Sequence, residues 1–247
     1  MSRRTLAAVL VAVALPAAAY VLPVSGILRR VAEKRASLDV ASLDVSGTFD
    51  AEGDAAEAIA RATGLRVAAG KVSAPARFLL RVPGRCRLEV GPADAADRPF
   101  VIVRDGKVTG HGLDGVPAAV ALARDVCALL AVPGSDDRHL AASLAARGVA
   151  LGDVTLGRFD GRISYVLGGH EREAKPLAFV DKETFQPVRL VAREGSALVD
   201  VRLLGFGSPT GGDAFPRAVE VFEGGTLRLR LTTERLQRNV KLPDTAF

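Results

Sequence analysis

Two cysteines, three histidines and a few turn carboxylates are the residues of this 247-residue chain from which chemistry would be built. Cys86 and Cys127 form an even pair, which in an oxidising compartment permits one disulfide. Cys86 lies in a strand-like run and Cys127 in a helix-like one, so a bridge would pin helix to sheet; two buried free thiols are the alternative. His111, His139 and His170 are scattered, and neither cysteine has a companion at zinc-ligand spacing, so no metal site is expected. No G-x-S-x-G elbow is present to carry a nucleophilic serine. The glycine-rich stretch Gly205–Gly211 has the wrong spacing for a phosphate loop, and Pro209 blocks an immediate helix. Asp181 and Glu183 occupy a turn, where carboxylates are common for local reasons. With no nucleophile and base to pair, the chain is expected to be a non-enzyme that uses no cofactor.

The elements that would position these residues are mostly strands. Val24–Arg35 places Ile27, Leu28, Val31 and Ala32 at helical spacing, and Asp54–Thr63 reads as a second helix capped by Asp54 and stopped by Gly64. From Ala76 to Val90 two strands flank Pro83-Gly84; in the second, Cys86, Leu88 and Val90 alternate with Arg85, Arg87 and Glu89, so one face is buried and the other wet. Asp105-Gly106 joins Phe100–Arg104 to Lys107–His111, and Asp160-Gly161 joins Val154–Phe159 to Arg162–Leu167, both as tight hairpins. Between these hairpins lie two helix-like segments, Val116–Ala131, almost wholly apolar on one side, and Asp136–Arg147. Further strands follow at Ala197–Phe206, Ala218–Glu223 and Thr226–Leu236, with a turn between neighbours. This spacing implies an antiparallel meander of about ten strands.

Composition fits an exported β-rich domain. The apolar fraction is 49%, enough for a sizeable core. The formal charge of +5 falls to +3 once Arg3 and Arg4 are removed, and the remaining bases alternate with apolar residues, as in Arg228-Leu229-Arg230-Leu231. With no Trp and two Tyr, stacking platforms for single strands are poorly supplied, and nucleic acid is not an expected partner. Arg3-Arg4, the apolar run Thr5–Leu15 and Ala17-Ala18-Ala19 read as a signal peptide, residues 1–19, cleaved before Tyr20. An uncleaved membrane anchor is the alternative, and Ser2–Leu6 partly matches a twin-arginine signal. Residues 20–247 are expected to form a single domain, as β-rich chains of this length commonly do.

The phrase Ala178-Phe179-Val180-Asp181-Lys182-Glu183-Thr184-Phe185-Gln186-Pro187-Val188-Arg189-Leu190, followed by Phe215-Pro216 and more strands, resembles the periplasmic outer-membrane lipoprotein carrier and sorting (Lol-type) family. No cysteine lies near the cleavage site, so within that family the soluble carrier is favoured over the lipid-anchored receptor. The resemblance implies an α+β, mainly antiparallel fold: a curved sheet or incomplete β-barrel with helices covering its concave side. It implies that acyl chains are shielded in a hydrophobic cavity during transport through the periplasm to the outer membrane. It also implies an inner-membrane release complex and an outer-membrane receptor as partners. Arg81 and Arg87 are the candidates for the family's gating arginine. Strand alternation nominates Phe78, Leu80, Leu88, Ile102, Tyr165, Phe179 and Leu190 as the cavity lining, and Val120, Leu122 and Leu129 of the apolar helix-like segment are the expected lid. A lipid- or lipoprotein-sensing regulatory domain, or a non-catalytic envelope-complex subunit, is the alternative function.

Overall fold

The computed structural model describes residues 21–95, 97–134 and 136–247. The expected signal peptide and its cleavage site lie outside the described residues. Helix α1 (Val24–Ala36) precedes strand β1 (Ser42–Glu52), helix α2 (Asp54–Thr63) and strands β2 (Lys71–Arg81), β3 (Arg85–Val90), β4 (Phe100–Arg104) and β5 (Lys107–His111). Helices α3 (Pro117–Leu130) and α4 (Asp137–Ala146) follow. The chain then returns through β6 (Val154–Phe159), β7 (Arg162–Leu167), β8 (Leu177–Asp181), β9 (Pro187–Glu194), β10 (Ala197–Leu204), β11 (Ala218–Glu223) and β12 (Thr226–Arg238).

All twelve strands form one antiparallel sheet ordered β5-β4-β3-β2-β1-β12-β11-β10-β9-β8-β7-β6. It consists of two meanders joined where β1 pairs with β12. The sheet has twelve strands, against the ten or so expected from the spacing. At the central seam a β-bulge falls between Ser46 and Gly47. A Cβ on Gly47 would collide with the Thr232 carbonyl, so the close approach of the half-sheets requires glycine there. The hairpin turns Asp105-Gly106 and Asp160-Gly161 have positive φ at both residues, the twist that lets a two-residue loop close a right-handed hairpin. Helix α2 ends at Gly64 in the left-handed region as read from sequence, but its N-cap is Gly53 rather than Asp54, which lies inside the first turn.

Topology places the helices. The chain leaves the first meander at one sheet edge, β5, and re-enters at the opposite edge, β6. The connection α3–α4 must therefore cross the sheet, and α3 packs against β3 and β4 on one side and β9, β10 and β11 on the other. Alternate residues of the strands beneath it join one continuous apolar core with α1, α2 and α3. The opposite, convex face is laddered by ion pairs such as Arg77 with Asp44 at 2.6 Å and Arg189 with Asp200 at 2.8 Å.

Cys86 of β3 and Cys127 of α3 are joined as a disulfide with Cα atoms 5.8 Å apart. The bridge closes a loop 41 residues long, for which the chain-entropy model gives about 4 kcal/mol of stabilisation. A Cys86→Ser/Cys127→Ser variant should lose about that much in denaturant unfolding. Two labelled thiols in unfolded, non-reduced wild-type protein would contradict the bridge.

Candidate functional site

The concave face and the helix lying on it form the candidate site. Of the seven residues nominated as lining, Phe78, Leu80, Leu88, Tyr165 and Leu190 are buried in the cluster that also contains α3. Ile102 and Phe179 are not. Ile102 stands opposite Arg87 and Thr109 on the convex face, and Phe179 stands opposite Arg189 there. Phe179 packs with Val166 and Leu177 in a separate small cluster, and the Arg189 guanidinium lies 4.7 Å from its ring centre. The reason is local. Val101 and Ile102, like Phe179 and Val180, put apolar residues on both faces of one strand, so alternation no longer says which points inward.

The three expected lid residues, Val120, Leu122 and Leu129, all lie on α3 and are buried. They do not cover a cavity; they fill it. Eleven of the fourteen residues of α3 are buried, which makes it a core helix rather than an amphipathic cover. The expected lid helix thus occupies the concave face as a plug.

The plug is held unevenly. Its C-terminal half carries the disulfide at Cys127 and a buried ionic network. Asp125 accepts from Arg147, the C-cap of α4, with Nε at 2.7 Å from Oδ1. Arg147 also reaches Glu194 at the end of β9 at 2.6 Å, and Arg124 meets the same carboxylate at 3.1 Å. Arg35, buried at the end of α1, donates to the Leu130 carbonyl at 3.1 Å and to the Ala214 carbonyl at 2.9 Å, a cation on the last turn of α3. The N-terminal half, from Pro117 to Ala123, consists of Pro, Ala, Val and Leu and rests on the sheet through apolar contact alone.

Burial pushes the Asp125 carboxyl up to about 6, and the charge of Arg147 pulls it back only in part. Burial also works against the Arg147 charge, but Asp125 and Glu194 more than offset it and hold that guanidinium above its ordinary range. Burial, with Arg238 nearby, lowers Arg35 to about 10, which leaves it charged at neutral pH.

At the β6–β7 edge the concave face is not covered. Leu156 pairs with Tyr165 across the hairpin and so shares its face, yet is 38% exposed; Ile163, on the same face, is 44% exposed. Beside them Pro23, Val24, Leu28, Ala141, Leu151 and Val154 line an open groove of about 460 Å³ between α1, α4 and β6. Towards the other side of the sheet, β3 is tied to α3 by the disulfide.

Among solved structures, a LolA superfamily protein from Nitrosomonas europaea superposes with a TM-score of 0.50 at 12% identity, covering 92% of this chain and 98% of that one. The chain shares the fold of that LolA superfamily protein. A putative outer membrane lipoprotein-sorting protein domain from Vibrio parahaemolyticus (9% identity, TM-score 0.44, 90% and 96% covered) superposes more loosely. So does a DUF1329 family protein from Desulfovibrio piger ATCC 29098 (11%, 0.46, 91% and 97%). No protein-family model matches the sequence, and no curated protein matches it.

In this LolA-like sheet the two candidate gating arginines fall on the wrong face. Arg81 pairs with Asp244 and Arg87 with Glu89 on the convex side, where both hold the C-terminal segment through the carbonyls of Leu242 and Ala246. The arginines that do meet the plug, Arg35 and Arg147, and the plug's own Arg124 were not singled out by sequence. Asp125 was the available signal: a carboxylate inside an otherwise apolar helix face requires a cationic partner.

Arg147→Ala should destabilise the fold by about 3–5 kcal/mol, since it strands a buried carboxylate. Because the folded carboxyl of Asp125 is raised from 3.8 to about 6, its contribution to stability is complete below the unfolded value and is lost as pH rises through that window. Wild-type stability measured against Asp125→Asn should therefore fall from about pH 4 to pH 6, by on the order of 3 kcal/mol. A difference that stays flat or grows over that range would contradict the assignment.

Proposed function

We propose that this chain is a non-enzymatic periplasmic carrier that shields the acyl chains of lipid or lipoprotein against its concave face on the way to the outer membrane. The observation that carries the reading is the uneven hold on α3. Half of the plug touches the sheet through apolar side chains only, so a ligand of the same character can take its place without stranding a buried polar group. Each methylene buried contributes about 0.8 kcal/mol, and a chain of ten would offset roughly 8 kcal/mol of lost helix contact. The apolar lip at Leu156 and Ile163 provides the mouth. An inner-membrane release complex and an outer-membrane receptor are the partners such a role requires. The fold shared with a LolA superfamily protein supports the same reading.

A second reading has its own observation. The concave face is filled, as it would be in an envelope-complex subunit or a sensing domain whose plug never leaves.

Lipid extracted from protein expressed with its export signal, read by mass spectrometry, separates the two. The carrier reading predicts co-purified acyl lipid. It also predicts that Leu156→Glu/Ile163→Glu, at exposed positions where the fold tolerates charge within about 0.5 kcal/mol, abolishes lipid capture while Arg228→Glu on β12 leaves it nearly intact. No lipid in the wild type, or equal capture by both variants, would favour the permanent plug.

A further inference from the structure

A second pocket, of about 360 Å³, lies between α3, α4 and the turns at Pro83-Gly84 and Asp105-Gly106, at the sheet edge opposite the apolar lip. Its size is within the range of small-ligand sites. The floor is built from small or apolar side chains: Val103 from the concave face of β4, Cys127 and Ala128 from α3, and Ala142 and Ala146 from α4. Its helix side carries Arg124, Arg147, His139 and Ser143, and its sheet side carries one carboxylate, Asp105. Arg147 is engaged twice, by Asp125 and Glu194. Arg124 is not. It meets only Glu194, through Nη1, and its Nε has no hydrogen-bond partner among the described residues. A guanidinium has five N–H donors in a planar fork suited to carboxylate or phosphate; Nε of this one is buried, and Nη2 makes no hydrogen bond or ion pair among the described residues. An apolar trough with a cationic end is the shape of a site for a molecule of the opposite make-up.

We propose that this pocket binds a single-chain anionic amphiphile, its head group on Arg124 beside His139 and Ser143 and its chain along the alanine floor between α3 and α4. The carboxylate of Asp105 keeps the head on the helix side. Small residues on both helices make the trough: Ala128 and Ala142 leave space that larger side chains would close. Nothing in this site requires α3 to move, so it stands apart from the carrier reading. A ligand here would rest on the half of the plug that the disulfide and the ionic network already fix, and would add to that hold.

Titration of the mature protein with oleate, lysophosphatidylglycerol and methyl oleate tests the proposal. Wild-type protein should bind the two anions one to one, and the tighter of them identifies a carboxylate or a phosphate as the preferred head. Arg124→Gln should weaken both anions about tenfold and leave the uncharged ester nearly unchanged. Ala142→Phe, at an exposed position of α4, should weaken all three by filling the trough, and Ala146→Phe replaces it should that variant not fold. No binding of either anion, an equal loss of the ester with Arg124→Gln, or undiminished binding by the filled variant would overturn the site. Extraction of a diacyl lipopeptide from vesicles, read on the same samples, reports on the carrier reading separately, because it needs the concave face.

Discussion

A twelve-stranded sheet with one apolar face must have that face covered, and here a single helix, α3, does most of the covering. Its path follows from connectivity, because the chain must cross from the β5 edge to the β6 edge before the second meander can begin. Its composition follows from the same constraint. A helix flanked by strands on both sides has little wet surface, so it is built mainly from Ala, Val and Leu, with Arg124, Asp125 and Cys127 each engaged by a partner. The rest of the architecture depends on that placement. Helix α1 reaches the last turn of α3 through Arg35, α4 through Arg147, and β3 through a covalent bond.

The consequence is a polarity along one helix. Among the described residues, the directional interactions that hold α3 gather in its C-terminal half: the bridge at Cys127, the Asp125–Arg147–Glu194–Arg124 network and the Leu130 carbonyl under Arg35. Hydrophobic burial is non-directional and can be exchanged for burial of another apolar body, whereas a stranded Asp125 or Arg35 cannot be compensated by an acyl chain. On the proposed carrier reading, opening is confined to the N-terminal half, with the tether at β3 preventing full release. The exposed Leu156 and Ile163 mark the edge at which the face is already uncovered.

Much of this fold was legible in the amino-acid order. The hairpins at Asp105-Gly106 and Asp160-Gly161, the long apolar helix and the antiparallel meander follow from turn chemistry and periodicity, and the curved, helix-covered sheet from the resemblance. The wall was legible where polar residues mark the outer face, as at Leu88 between Arg87 and Glu89. It was not legible at Ile102, which stands opposite Arg87 on the convex side, or at Phe179, where the Arg189 guanidinium covers the ring. Helix α3 read as a lid because sequence shows an apolar face but not how many strands surround it. The ionic network was invisible for a different reason. Its members lie in α3, after α4 and at the end of β9, and only the crossover brings them together.

Hydrogen exchange along α3, followed with and without a diacyl lipopeptide, tests the uneven hold most directly. Backbone amides from Val120 to Ala123 should lose protection when the lipopeptide is bound, while those from Val126 to Leu130 keep theirs in the disulfide-bonded protein. Uniform protection of the whole helix in both conditions, or exchange that begins at the C-terminal half, would contradict the account.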